Sequence, residues 1–397
     1  MKTIRWSFKC IVSLILAVIL AVILAVVATS VSVVYDFAEP KPFSGEDIFN
    51  PYTNFDKNIG WSRANFHTHT RVEGLLNECE YSPEQTIEAY APYGYQVITL
   101  SNHNKITPHP TADTRVYEHG YNLAKFHKLV FGAEKVWGFD NLLPIFPFQK
   151  QMQLDRLAAQ SDIVVLNHPL RTHTMTDGQL SKIGGYDIIE LDSGKSTENE
   201  YWDAALSAGR YSFGVANDDL HHPERSHAIA VRSNMLCTPS SEYSDICRTL
   251  LSGCFYAMRT PDYGGGKWDV KAEKNRSIPY VNNIGLTDCG EIFVTLSEAA
   301  DSIKVTGQNH TTLAVIENAD SLGYAMLPAD SYGRFTAYFS DGEVIYTNPF
   351  ARYDAEVSAS PFNTAHSVNI ALTILYNAVV VAFAALLAFL LYKTAKL

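Results

Sequence analysis

Apolar residues along the chain follow three patterns. At each end they form one long run. Residues 10–34, CIVSLILAVILAVILAVVATSVSVV, carry no charge and follow Lys2, Arg5 and Lys9. Residues 370–392 hold Asn377 as their single strongly polar member and precede Lys393 and Lys396. A bilayer core of about 30 Å needs roughly 20 apolar residues in a helix, so both runs are read as membrane spans. The sequence predicts a cytoplasmic stretch 1–9, an anchor 10–34, a second span 366–392 and a cytoplasmic tail 393–397. ATSVS offers a small-residue cleavage site, but the length of the first run favours an uncleaved anchor over a signal peptide. The outer flanks are basic, while Asp36, Glu39 and Asp354 lie on the inner sides. The positive-inside rule then places both termini in the cytoplasm and the body outside it.

Between the spans the pattern changes twice. Residues 35–60 show no period and read as a linker. From 61 to 262, short apolar runs alternate with helical periods. Ser82, Pro83 and Gln85 make a capping box with proline at the first helical position. QMQLDRLAAQ and NEYWDAALSAG are helical; YQVITLSNHN, KLVFGAEKV, DIVVLNHPLRTH, YDIIELDSG and RYSFGVANDDLHH are strands. Strands alternating with helices indicate parallel βα units and an α/β body. Over 263–355 the runs are short and alternating (KWDV, EIFVTLS, DSIKVTG, TTLAVIENA), and Asp341-Gly342 is a hairpin turn. A small all-β appendage is expected there, as a spacer or as part of the substrate entrance.

Composition narrows the picture. The 397 residues carry a formal charge of −11 and no block of Lys or Arg, so no nucleic-acid partner is expected. Cys10, Cys79, Cys237, Cys247, Cys254 and Cys289 include no C-x-x-C pair, which argues against a thiolate zinc site. DSGKST, residues 192–197, ends like a phosphate loop, but Ile189 stands where its first glycine belongs.

The chemistry gathers at strand ends. ANFHTH ends in His67 and His69, two residues apart and so on one face of a strand. VITLSNH ends in His103, LVFGAE in Glu134, IVVLNH in His168, and FGVANDDLH in Asp219 and His221. Parallel strands bring their carboxyl ends to one mouth. Histidines mixed with carboxylates suit Zn, Mn or Fe better than Ca or Mg, and they are too many for one tetrahedral ion. A cluster of two or three ions is expected, with Glu134 as the bridge. His109, His119, His127, His173 and His227 are expected at the surface or behind the ligands, and His222 adjoins His221 without a clear role.

On these residues the chain resembles the PHP (polymerase and histidinol phosphatase) superfamily of metal-dependent phosphoesterases over residues 61–262. FHTHT is similar to its H-x-H motif, ITLSNHN to T-D-H, FGAE to P-G-x-E, VVLNHP to the strand ending in H-P, and NDDLH to D-x-H. The resemblance implies a distorted (β/α)7 barrel with up to three metals. It implies that His67, His69, Glu134 and Asp219 hold one ion, Glu134 and His168 a second, and that His103 and His221 reach a third. Asn102 replaces the Asp of T-D-H, no histidine follows FGAE, and Glu73 is the nearest candidate for a ligand soon after H-x-H. The expected activity is a membrane-anchored phosphoesterase using a metal-activated water. Its substrate would be a phosphorylated small molecule or an envelope component. Arg171 and Lys105 are candidates to grip the phosphate, and Asp219 or His221 to pass a proton to the leaving oxygen. Two further readings stand beside it. One is hydrolysis of a non-phosphate bond by the same cluster. The other is a degenerate barrel serving as an envelope binding or assembly module, which Asn102 and the missing histidine favour.

Overall fold

The computed structural model describes residues 2–74, 77–193, 196–197, 199–363 and 366–394; Gly194 and Lys195 of DSGKST lie outside them. The body is mixed α/β, built on two sheets rather than a closed barrel. The first runs in the order Phe213–Asn217, Ile188–Ser193, Ile163–Leu166, Lys128–Phe131, Val116–His119. Its first three strands are parallel. Lys128–Phe131 is antiparallel to both neighbours, so Val116–His119 runs with the parallel set again. The expected βα unit is here a plain hairpin.

The second sheet includes Ser62–Asn65, paired in parallel with Val97–Ile98 and antiparallel with Arg232–Leu236. Arg232–Leu236 pairs Phe255–Arg259, which pairs Val344–Thr347. Through that last pairing the β strands between residues 281 and 353 extend the same sheet instead of standing apart. The Asp341-Gly342 turn lies between Tyr332–Tyr338 and Val344–Thr347, with Gly342 at φ +101°. KWDV is not a strand; it opens the helix Trp268–Asn275. Asp203, on helix Asn199–Ser207, ties this region to the first sheet by accepting from Arg334 Nε at 2.9 Å and Nη2 at 2.5 Å. Both are buried, and breaking such a pair from one side costs about 3–5 kcal/mol.

The two sheets face each other across a core of Phe66, Leu129, Val165, Ile189, Trp202 and Phe213. Single β-bridges join them at Thr68 with Leu220 and at His103 with Glu118. These two seams are where a continuous ladder would have closed a barrel. They also hold the chemistry, because Thr68 lies between His67 and His69, and Leu220 between Asp219 and His221.

Helix Pro83–Tyr90 starts with the expected capping box of Ser82 and Gln85. The terminal helices Lys2–Ala28 and Ile370–Thr394 are long and apolar enough to cross a membrane. They pack side by side. Their body-facing ends interlock: Asn377 accepts from Ser32 N (3.1 Å) and donates to Ser32 O (2.7 Å), and Val34 N donates to Thr373 Oγ1 at 2.9 Å. The helices are therefore antiparallel, with Lys2 and Thr394 at the far end. Residues 35–60 are not slack; Tyr35–Phe37 pairs His366–Val368, and Asp47–Phe49 pairs Phe350–Tyr353.

Candidate metal centre

Glu118 is the hub of the site. It is the third residue of strand Val116–His119, so it faces the mouth, while His119 turns into the wall and packs on Trp137. Glu118 Oε2 lies 3.1 Å from His67 Nε2, 3.3 Å from His69 Nε2 and 3.1 Å from His103 Nε2. Its other oxygen, Oε1, lies 3.2 Å from His127 Nδ1 and 3.3 Å from His168 Nε2. One carboxylate thus addresses two groups of imidazoles, one through each oxygen.

Asp219 closes the site from the opposite seam. Its Oδ1 is 3.0 Å from His67 Nε2, 3.2 Å from His69 Nε2 and 3.3 Å from His221 Nε2, and its Oδ2 is bound by Arg171. His221 also stacks on His69 with ring centroids 4.2 Å apart. His168 and Asp219 both adopt left-handed backbone, φ 25° and 49°. Such conformations cost of order 1–3 kcal/mol in non-glycine residues and gather at functional sites. The neighbouring Asp218 points away, into a nest of the Ala230, Val231 and Arg232 amides. Behind the front rank, Glu190 Oε1 holds His67 Nδ1 at 3.0 Å and Oε2 accepts from His168 N at 3.0 Å. That contact fixes which nitrogen of His67 faces the mouth.

Charge and burial oppose each other here. Burial disfavours a charged His67, yet the Asp219, Glu118 and Glu190 carboxylates outweigh it and hold its pKa well above the usual value. The same contest, with His69 donating to the Asp219 and Glu118 carboxylates, lifts His69 to about 9. Burial would raise Glu118 and Asp219, but the imidazoles around them, and Arg171 beside Asp219, hold both well below the carboxylate range. His103 goes the other way; burial depresses it to about 3.

The structure brings His67, His69, His103, His168, Asp219, His221 and Arg171 to one mouth. Glu134 is not among them. It is exposed and follows the carboxyl end of Lys128–Phe131, the strand that runs against its neighbours, so it leaves the sheet at the end away from the mouth. The position between the two sets of imidazoles falls to Glu118, which precedes that strand. His127 enters with it, at the amino end of the reversed strand, and corrects its reading as a bystander. The histidine missing after Glu134 is present after Glu118. Glu78, not Glu73, approaches from the loop after H-x-H, 3.3 Å from His103 Nε2. The alternation of VYEHG was the available signal for Glu118. Asn102 is a clamp: it accepts from Thr70 N at 2.8 Å and donates to Thr70 Oγ1 and Thr107 Oγ1, both at 2.7 Å. His222 pairs with Glu224 at the surface, and Lys105 is exposed.

No protein-family model matches this sequence, and no curated protein matches it. Among solved structures it is similar to a two-domain protein containing a predicted PHP-like metal-dependent phosphoesterase from Bacteroides vulgatus ATCC 8482. That match has 13% identity and a TM-score of 0.36 over 78% of this chain and 98% of that one. It is also similar to the novel lesion-specific endonuclease PfuEndoQ of Pyrococcus furiosus, at 13% identity and a TM-score of 0.33 over 48% of this chain and 56% of that one. Likenesses this loose decide nothing about the site, whose chemistry rests on its own geometry.

Proposed function

We propose that the protein is a membrane-tethered hydrolase that uses a cluster of divalent ions, Zn, Mn or Fe, to cleave a phosphoester. The observation that carries this is three overlapping ligand groups: His67, His69, Glu118 and Asp219; His69, Glu78 and His103; His103, Glu118 and His127. Within each, the ligand atoms lie within 4.8 Å of one another. The donors fit ions better than they fit each other. His67 Nε2 is buried and close to two carboxylate oxygens, yet among the described residues it makes no hydrogen bond of proper geometry. Around it, nitrogen and oxygen atoms of several residues converge on common points.

Ions held by these residues would make hydroxide from bound water near neutral pH and neutralise phosphoryl oxygens. The chain's own groups do the rest. Arg171 is anchored by Asp219, and its Nε is buried without a hydrogen-bond partner among the described residues, a donor available to a phosphoryl oxygen. His221, part-exposed at the mouth, is placed to give a proton to the leaving oxygen. The two features that favoured a degenerate binding module lose their force, since His127 supplies the missing histidine and Asn102 is needed as a clamp. The terminal helices, with their basic outer flanks, would hold the body on the extracytoplasmic face.

The full chain in detergent is expected to hydrolyse an aryl phosphate with Mn or Zn, and to stop when the metal is chelated. No turnover across metals and phosphoesters would shift the reading to a binding module. Metal affinity should also depend on pH. His69, raised to about 9, keeps its proton below that pH in the ion-free protein, and a metal must displace it. Affinity is therefore expected to rise with pH through about 9, as His69 and the likewise raised His67 give up their protons on binding. Calorimetry in buffers of different ionisation enthalpy reads this directly, and a pH-independent affinity without proton release would contradict it.

A further inference from the structure

We propose that the mouth of the site opens onto the bilayer surface, and that the substrate is a phosphorylated amphiphile held in the same bilayer by its own apolar chains. This rests on the phosphoesterase reading and on the terminal helices spanning a membrane.

The first observation is how the body grips those helices. Asn141 Nδ2 donates to Thr29 O (2.6 Å) and Val31 O (3.2 Å), and Leu142 N donates to Thr29 Oγ1 at 3.1 Å. Thr29 directly follows the helix Lys2–Ala28. Gln149 Nε2 reaches Ser30 O and Tyr376 Oη, both at 3.3 Å, and Phe148 meets the edge of Tyr376, with ring centroids 5.0 Å apart. Segment 141–149 is thus fixed to the point where both helices meet the body.

The second observation is what else that segment holds. Leu142 O accepts from Leu123 N at 2.8 Å, and Asp140 Oδ2 accepts from Tyr121 N at 3.0 Å. The Tyr121 ring lies 4.7 Å from the ring of His103, a member of two of the three ligand groups. Two steps therefore lead from the membrane-proximal turn to the metal centre. Loop 120–127 forms the near wall of the mouth and also binds the arginine-bearing segment, where His173 N donates to Ala124 O at 2.7 Å.

The third observation is the character of this rim. Leu123 is 58% exposed, Ile145 47% and Phe146 46%. Large apolar side chains so exposed, gathered on adjoining segments, mark an interaction surface. Here the surface is continuous with the helix ends, so its occupant is the bilayer interface, where aromatic and aliphatic side chains insert to a shallow depth. The body's acidic charge gives no electrostatic reason to approach an anionic surface; apolar contact and the tether do that work.

Two measurements on the full chain in phosphatidylcholine vesicles test this. A fluorophore on Leu123→Cys should be quenched by lipids carrying a shallow nitroxide; an unquenched probe would overturn the proposal whatever the activity. Dioleoyl phosphatidate in the same vesicles should be hydrolysed at least about tenfold more efficiently than glycerol 3-phosphate in solution, because confinement raises the effective concentration. Equal or better turnover of the soluble compound would overturn the substrate assignment while leaving the phosphoesterase reading intact. If metal-loaded protein turns over neither these nor an aryl phosphate, the phosphoesterase reading fails and takes the substrate with it. The quenching result then reports on the mouth alone.

Discussion

Glu118→Gln is expected to cost the protein more than one equivalent of bound metal. Its two oxygens face different sets of imidazoles, Oε2 toward His67, His69 and His103, Oε1 toward His127 and His168. The amide keeps the size but loses the charge and presents an N–H on one side. Glu190 meets the His67 ring but only the backbone amide of His168, and Asp219 serves the first set alone, so among the described residues no other carboxylate joins the imidazoles of the two sets. Glu134→Gln is the matched comparison, and it should leave the metal content unchanged because its side chain is exposed on the far side of the reversed strand. Elemental analysis of the two variants beside the wild type decides the matter. A Glu118→Gln protein with its full metal complement would remove Glu118 from the hub.

Asp219→Asn should lower phosphoester hydrolysis by at least ~10²-fold, the scale of losing a positioned acid–base group. Asp219 touches His67, His69 and His221 through one oxygen and Arg171 through the other. Replacing it removes a ligand and frees the arginine together. The fold should hold, since Asp218, not Asp219, carries the backbone nest at 230–232. Arg171→Ala should instead mainly raise KM, as the loss of uniform phosphate binding does. Steady-state kinetics with added Mn or Zn separate the two. An Asp219→Asn enzyme as fast as the wild type would refute the assignment.

The sequence revealed the site wherever local pattern and strand direction agree. His67 and His69 are legible because a strand's period of two is fixed, and His168 and Asp219 because their strands are long apolar runs that end abruptly. Glu134 was misplaced because the parallel reading assumes every strand end faces the same way. The hairpin of Val116–His119 with Lys128–Phe131 reverses one strand, and a single sequence carries no mark of that reversal beyond a connection too short for a helix. Glu190 was missed for a different reason. It lies in the middle of a buried strand, where a carboxylate is tolerated only because His67 and the Asn217 amide meet it. The open seams were not legible either, since Thr68 meets Leu220 from more than a hundred residues away and His103 meets Glu118 across an irregular loop, each by a single bridge that no local pattern marks.

The pairing of Tyr35–Phe37 with His366–Val368 bears on how the molecule is made. These strands are the first and last of the body, separated by almost the whole chain, and Asn377 and Thr373 complete the same junction from within the final helix. While the chain is being synthesised, the first helix and all the strands of the metal centre emerge long before their closing partner. Bringing such distant ends together has an entropic cost that grows only slowly with length, but it cannot happen until the last residues arrive. The junction beside the first helix is therefore complete only once these last residues are in place. A chain stopped before residue 366 would carry every candidate ligand of the cluster and still lack the strand and helix contacts that close this junction.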